Sequence, residues 1–243
     1  MNAMIFAAGL GTRLKPLTDT MPKAMVSFLG KPLLWYAIRS VEKAGAERVI
    51  VNVHHFADKI IDYLKSEEWN SEVIISNERD ELLDTGGGLV KALPLFIPGE
   101  RVLIRNADIV TSFDLKQLVE FHKNRNSDAS LLVMERRSSR YLIFNDDMEL
   151  CGWKNVQTGE KIMFRGCEVE KDLGFCGIHV MNYDYVKSLG DVRKFSIIEG
   201  YLETGAERSV SGLELEKGVE WFDVGSVKKL KEAEEYYKMN GLK

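Results

Sequence analysis

A chain of 243 residues with 45% hydrophobic and 29% charged side chains has enough apolar material for one sizeable α/β core. A net charge of −4 with no long basic run excludes a nucleic-acid-binding face, so any affinity for phosphate must come from local groups. No apolar run approaches the ~18 residues of a membrane span, and the N-terminus lacks a charged-then-apolar leader, which predicts a cytoplasmic protein with no membrane partner.

In chain order, Asn2–Ala8 reads as a first strand that runs directly into a glycine loop. The spacing of Leu33, Leu34, Ala37, Ile38 and Val41 predicts a helix stopped at Gly45, followed by the β-branched strand Arg48–Val53. Phe56, Ile60, Ile61 and Leu64 mark a second amphipathic helix, and Glu72–Ser76 a strand. A helix over Gly87–Leu95, a strand over Arg101–Arg105, a helix capped by Asp114 and running to about Arg125, and the strand Ala129–Met134 complete an alternating β/α half. That alternation predicts a Rossmann-like, mainly parallel or mixed sheet with helices on both faces, and ligands beyond the carboxyl ends of its strands.

After Glu135 the pattern becomes a meander of short strands over Tyr141–Phe144, Leu150–Asn155, Lys161–Arg165 and Phe175–Val180. Helices return at Phe195–Glu203 and Val227–Met239. No linker separates the stretches. The expectation is a single domain over residues 1–243, with a nucleotide-binding part to about 135, a small β-rich acceptor-binding insertion over about 136–225 and a C-terminal helix over about 226–240. Cys151, Cys167 and Cys176 lack paired metal-ligand spacing and read as free thiols, and His54-His55 as a strand-end turn.

The chemistry is concentrated in Gly9-Leu10-Gly11-Thr12-Arg13, with Pro22-Lys23 ten residues on. Two glycines allow main-chain N–H groups to face an anion, Arg13 offers a planar fork for phosphate oxygens, and Lys23 adds a mobile point charge. Neither the dinucleotide fingerprint nor the P-loop fits: Leu14 stands at the third glycine of the first, and the second occurs nowhere. Asp84-Thr85-Gly86-Gly87-Gly88 is a second glycine loop, suited to a flat base read by main-chain groups. Asp108 closes an apolar strand and Asp223 lies between large apolar residues. Each alone reads as a cap or turn acid; as a pair from distant strand ends they suit Mg²⁺, which takes one or two carboxylates plus phosphates and water.

Ala7-Ala8-Gly9-Leu10-Gly11-Thr12-Arg13-Leu14, Pro22-Lys23, Gly30-Lys31-Pro32, Leu83–Gly88, Asn106-Ala107-Asp108-Ile109 and Trp221–Ser226 together resemble the sugar-1-phosphate nucleotidylyltransferases. The resemblance implies an enzyme joining an NTP to a sugar 1-phosphate with release of pyrophosphate, acting as a monomer or homodimer. It implies Arg13 and Lys23 as catalytic residues, and Ala8, Gly9, Gly11, Thr12, Arg13, Thr85, Gly86, Gly87 and Asn106 as nucleotide contacts. It further implies Asp108 and Asp223 as Mg²⁺ ligands, and an acceptor site drawing on Lys154, Lys171 and Gly177. Ala107 stands where many relatives carry Gly, and Glu170-Lys171-Asp172 is only an echo of the usual Glu-Lys-Pro.

The Thr-Gly-Gly-Gly form is similar to the N-acetylmuramate-1-phosphate uridylyltransferases, which makes UTP with that sugar phosphate the favoured pair. The carboxylate of such an acceptor would need a basic partner, for which Lys154, Lys171 and Arg165 are candidates. Alternatives are a mannose- or heptose-1-phosphate guanylyltransferase, a phosphocholine-type cytidylyltransferase, or a catalytically silent regulatory subunit.

Overall fold

The computed structural model describes residues 1–241. Strand β1 (Asn2–Phe6) leads through three 3₁₀ turns into the small hairpin β2 (Ser27–Phe28) and β3 (Lys31–Pro32), then α1 (Leu33–Lys43), β4 (Arg48–Val53), α2 (Ala57–Ser66) and β5 (Glu72–Asn77). Next come α3 (Asp84–Ala92), β6 (Val102–Asn106), β7 (Ile109–Thr111), α4 (Leu115–Arg125) and β8 (Ala129–Met134). The second half holds β9 (Arg140–Phe144), β10 (Leu150–Asn155), β11 (Glu160–Met163), β12 (Lys171–Met181), α5 (Tyr183–Ser188), α6 (Ile197–Thr204), β13 (Val210–Glu214), β14 (Trp221–Asp223) and α7 (Val227–Asn240).

Ten strands form one mixed sheet in the order β11-β10-β9-β12-β6-β1-β4-β5, with β8 joined to β12 and β13 joined to β8. The β1, β4, β5 and β6 ladders are parallel, whereas β12 runs antiparallel to β6, β8 and β9. The meander expected after Glu135 is therefore stitched into the same sheet. Its last strand is eleven residues long because β12 spans both halves, with a register shift between Phe175 and His179 where Gly177 sits.

Alternation along the parallel strands explains the layering. In β4, Val49, Val51 and Val53 face α1, α2 and α4, while Ile50 faces the core shared with α3, α5 and α6. Each such side chain, fully removed from water, contributes on the order of 2 kcal/mol. A third cluster, built from Leu14, Val26, Phe28, Val224, Leu230 and Tyr237, packs α7 against the segment that follows β1. Asp114 caps α4, accepting from the Lys116 amide at 3.1 Å, as its sequence position predicts.

One buried titratable group gives this core a pH dependence. His179 lies on β12, 1% exposed, with Nδ1 paired to the Tyr201 hydroxyl. Burial pushes its pKa from the ordinary 6.5 down to about 3. The unfolded chain binds a proton below 6.5 that the fold refuses, so stability falls as pH drops from 6.5 towards 3. At pH 5.5 this one residue costs on the order of 1 kcal/mol relative to neutral pH. Urea unfolding of His179→Gln at pH 7.5 and 5.5 is expected to show a correspondingly smaller acid loss; an unchanged loss would show that another group is responsible.

Candidate active site

The carboxyl ends of β1, β4 and β6 open into a cavity of about 400 Å³, lined among others by Ala8, Gly9, Arg13, Lys23, Asn52, Asp84, Thr85, Asn106, Asp108 and Lys194. The loop after β1 is set by Gly11. Its φ is +65°, and a Cβ there would lie 2.8 Å from Thr18 Cγ2 and 2.9 Å from Lys23 Cβ, so the turn is closed to larger residues. Thr18 Oγ1 donates to the Gly11 carbonyl at 2.8 Å and fixes the far side of the turn. Thr12 and Arg13 stand exposed on it.

Four charged side chains converge at its end. Lys23 Nζ is ion-paired with Asp108 Oδ2. A Cβ on Gly225 would come within 2.7 Å of Asp223 Oδ1, 2.8 Å of Arg13 Nη2 and 3.1 Å of Lys23 Nζ, so these three groups face one point. The small ladder of β7 with β14 brings the two acids together: Asp223 pairs in register with Ile109, and the Val224 amide donates to the Asp108 carbonyl at 3.0 Å. Partial burial alone would raise the Asp223 pKa. Lys229, the Gly225 amide, Lys23 and Arg13 more than offset it and hold the carboxyl below its usual value. Two carboxylates among three cations are hard oxygen donors of the type a magnesium–triphosphate complex needs. Among the described residues no cluster of three or more His, Cys, Asp and Glu offers a ready-made cage, so phosphate oxygens would have to complete the shell.

Several positioning residues escape a motif reading because they sit inside strands or just past a strand end. Asn52, in β4, accepts the Ala7 and Ala8 amides on Oδ1 at 2.7 and 3.2 Å and donates to Glu78 Oε1 at 2.8 Å. Glu78, fully buried with its pKa raised by burial, accepts the Leu83 amide at 3.3 Å. This chain of bonds ties the first glycine loop to the second. Arg105, 2% exposed, donates to the Ile109 carbonyl and to Ser40 Oγ on α1, clamping the turn that presents Asp108. Burial pushes its guanidinium down to about 10, with Asp108 pulling the other way.

The second glycine loop is arranged differently from the expectation of an open main-chain surface. The Gly86 and Gly87 amides both donate to the Phe195 carbonyl, at 2.9 and 3.2 Å. A Cβ on Gly86 would lie 2.4 Å from the Phe195 ring, and one on Gly87 2.0 Å from the Arg193 carbonyl oxygen. These glycines admit the 193–195 segment, which carries Lys194 to the cavity; Asp84 and Thr85 provide the lining. Gly87→Ala is expected to destabilise the protein by about 1–3 kcal/mol through overpacking against main chain, measured by chemical denaturation.

The basic acceptor candidates Lys154, Lys171 and Arg165 are not among the residues that line this cavity. Lys154 is ion-paired with Asp172, Lys171 with Asp146 at 3.2 Å, and Arg165 with Glu149 at 3.7 Å. Gly177 backs the site from behind, with Asn106 Nδ2 2.8 Å from where its Cβ would stand. A second cavity of about 600 Å³ lies between β9–β11 and α6, lined by Tyr141, Trp153 and Phe175 with Arg136, Arg140 and Glu199 among its polar groups. Its wall includes Ser196, two residues from Lys194 in the first cavity.

Residues 2–144 match the family model described as nucleotidyl transferase. The chain belongs to the nucleotidyl transferase family. Within it, 111 residues are 41% identical to N-acetylmuramate alpha-1-phosphate uridylyltransferase of Caulobacter vibrioides, covering 44% of this chain and 46% of that one. Another 136-residue match is 32% identical to mannose-1-phosphate guanylyltransferase 1 of Arabidopsis thaliana, covering 55% of this chain and 38% of the relative. The chain thus spans less than half the length of either of these relatives. Among solved structures, UDP-glucose pyrophosphorylase from Acinetobacter baumanii superposes with a TM-score of 0.82 at 17% identity, over 100% of this chain and 94% of its own. HddC from Yersinia pseudotuberculosis gives 0.75 at 24% identity, over 97% and 99%. Both support the nucleotidyl transferase fold, and no helix among the described residues is long and apolar enough to cross a membrane.

Proposed function

We propose that this family member transfers a nucleotidyl group from an NTP to a sugar 1-phosphate, releasing pyrophosphate. The observation that carries the reading is the meeting of Arg13, Lys23, Asp108 and Asp223 at one point beyond the parallel strands. Two polyanions must approach each other in this reaction, so charge neutralisation and alignment dominate its barrier. Arg13 is suited to the leaving β- and γ-phosphates, and its fork holds them in a fixed orientation. Lys23 leaves Asp108 to meet the α-phosphate as negative charge builds on its oxygens. The acceptor phosphate oxygen is itself the nucleophile, so no protein nucleophile is required.

Asp108 and Asp223 are suited to hold Mg²⁺, which would supply further charge neutralisation at the transferring phosphate. The second cavity, with three aromatic side chains and planar polar groups, suits the sugar ring of the acceptor better than the ion-paired Lys154 and Lys171 do.

UTP with N-acetylmuramate 1-phosphate is the favoured pair, on the 41% identity to the Caulobacter enzyme. GTP with mannose 1-phosphate is the second reading, on the Arabidopsis match. Four NTPs crossed with several sugar 1-phosphates, with pyrophosphate release as readout, test both. The uridylyl pair is expected to give the highest kcat/KM; a higher value for the guanylyl pair would replace the substrate reading, and no release with any pair would overturn the activity.

A further inference from the structure

The basic groups first expected to meet an acidic acceptor are already matched within the protein. Lys154 pairs with Asp172, Lys171 with Asp146 and Arg165 with Glu149. Arg136 and Arg140, on the wall of the second cavity, form no ion pair with a carboxylate among the described residues. Glu160 and Glu199 share that wall, but Glu199 is engaged in the capping box of α6, where it accepts the Ser196 amide at 3.3 Å.

Arg136 follows β8 and is half-buried, held by three separate elements. Its Nη2 donates to the Phe175 carbonyl at 3.1 Å, and its guanidinium lies over the Trp221 ring at 5.2 Å. Gly174 makes the room, since a Cβ there would stand 2.5 Å from Nε and 2.8 Å from Cγ. Nε is closed off from solvent and has no partner. Nη1 also makes no hydrogen bond among the described residues, and unlike Nε it is not sealed from solvent. A cation anchored on main chain and indole without a carboxylate is an unfinished arrangement, because charges drawn below the surface are ordinarily paired.

The cavity is placed to hold the far side of an acceptor. Phe175, on its wall, is two residues along β12 from Gly177, which backs Asn106 of the first cavity. That step is roughly 7 Å at ~3.3 Å per residue. Ser196 and Lys194 connect the two cavities in the same way. An acceptor whose phosphate reaches the first cavity can rest its ring on Tyr141, Trp153 and Phe175, which puts its outer substituents in the cavity that Arg136 lines.

We propose that the second cavity selects a sugar 1-phosphate that also carries a carboxylate, and that Arg136 reads this group through Nη1. Arg140, exposed on the same wall, adds a weaker and salt-screened attraction. The inference rests on the nucleotidyl-transfer reading and adds the class of acceptor and the residue that specifies it. A neutral acceptor would leave the Arg136 charge without a counterion, so it is disfavoured by an unpaired cation as well as by a missing bond.

The test pairs turnover with binding. With the NTP held saturating, kcat/KM is measured for N-acetylmuramate 1-phosphate, glucuronate 1-phosphate, N-acetylglucosamine 1-phosphate and mannose 1-phosphate. The first two carry a carboxylate, on a ring ether and at C6 respectively, and the last two carry none. Dissociation constants for the same acceptors are measured by calorimetry on protein loaded with non-hydrolysable α,β-methylene UTP. One carboxylate-bearing acceptor is expected to exceed both neutral ones by at least about 10²-fold, and which of the two does so gives the position of the acid. Arg136→Gln should cut the acid/neutral ratio at least about tenfold in both assays, through KM more than kcat. Arg136→Lys, which restores the charge but not the fork, should recover part of it. A purely structural Arg136, acting only by packing on Trp221, would lower all four acceptors together and leave the ratio where it was. An unchanged ratio in Arg136→Gln, or a wild type without the preference for an acid, would therefore overturn the inference while leaving the activity standing. Arg136-dependent binding of an acidic acceptor with no pyrophosphate released would overturn the activity and leave the inference; no binding of any acceptor would overturn both.

Discussion

Replacing Asp108 or Asp223 by asparagine is expected to lower kcat/KM at least about 10³-fold, a loss of about 4 kcal/mol in transition-state stabilisation. A neutral amide is a poor partner for a hard divalent cation, and each acid is anchored by the other's strand through the β7–β14 ladder. Combining the two substitutions should therefore add little to either alone, because the first already breaks the shared site. Both carboxylates are ion-paired, Asp108 with Lys23 and Asp223 with Lys229, so chemical denaturation of each variant separates lost folding from lost chemistry. Steady-state kinetics with Mg²⁺ titration, alongside Mn²⁺ binding to the nucleotide-free protein, checks all of this. Fully additive losses would show two independent roles and sink the shared ion.

Lys23→Met should separate two effects that usually move together. The side chain keeps its stem and loses its charge, so the α-phosphate loses a cation where negative charge develops. A fall in kcat of about 10²–10³-fold is expected, with a smaller change in nucleotide KM. The same substitution removes the cation now paired with Asp108. The nucleotide-free variant should then bind Mn²⁺ more tightly than wild type, even as turnover falls. A loss confined to nucleotide affinity, with kcat intact, would make Lys23 a binding residue with no part in the transfer.

Where a segment's fate is decided by its own residues, the sequence was a sufficient guide. Arg48–Val53, Ala129–Met134 and Leu150–Asn155 are strands with the bounds that their β-branched and apolar runs predict, and Asp114 caps α4. Where it is decided by a distant partner, the sequence is silent. β13 is a mixed Val-Ser-Gly-Leu-Glu run that becomes a strand only by lying parallel to β8, and the three-residue β14 exists only against β7.

The site divides along the same line. Arg13, Lys23, Asp108 and Asp223 are nominated by the motifs that carry the family resemblance, since each acid alone reads as a cap or turn residue, and the structure brings the four together. Asn52, Glu78 and Arg105 are hidden inside strand-like or loop runs, and only their burial and partners reveal what they hold in place. The second glycine loop carries a further lesson. Three successive glycines signal close approach, but the sequence does not say of what, and here the approaching group is the protein's own Phe195 segment.

The proposed reaction is attack by an acceptor phosphate oxygen on the α-phosphorus of an NTP at the point where Arg13, Lys23, Asp108 and Asp223 meet. It is tested most directly by ³¹P NMR of the product formed from sugar 1-phosphate labelled with ¹⁸O in its non-bridging phosphate oxygens. The label is expected in the oxygen that bridges the two phosphorus atoms of the NDP-sugar, with unlabelled pyrophosphate released. An unlabelled bridge, or no NDP-sugar at all, would contradict it.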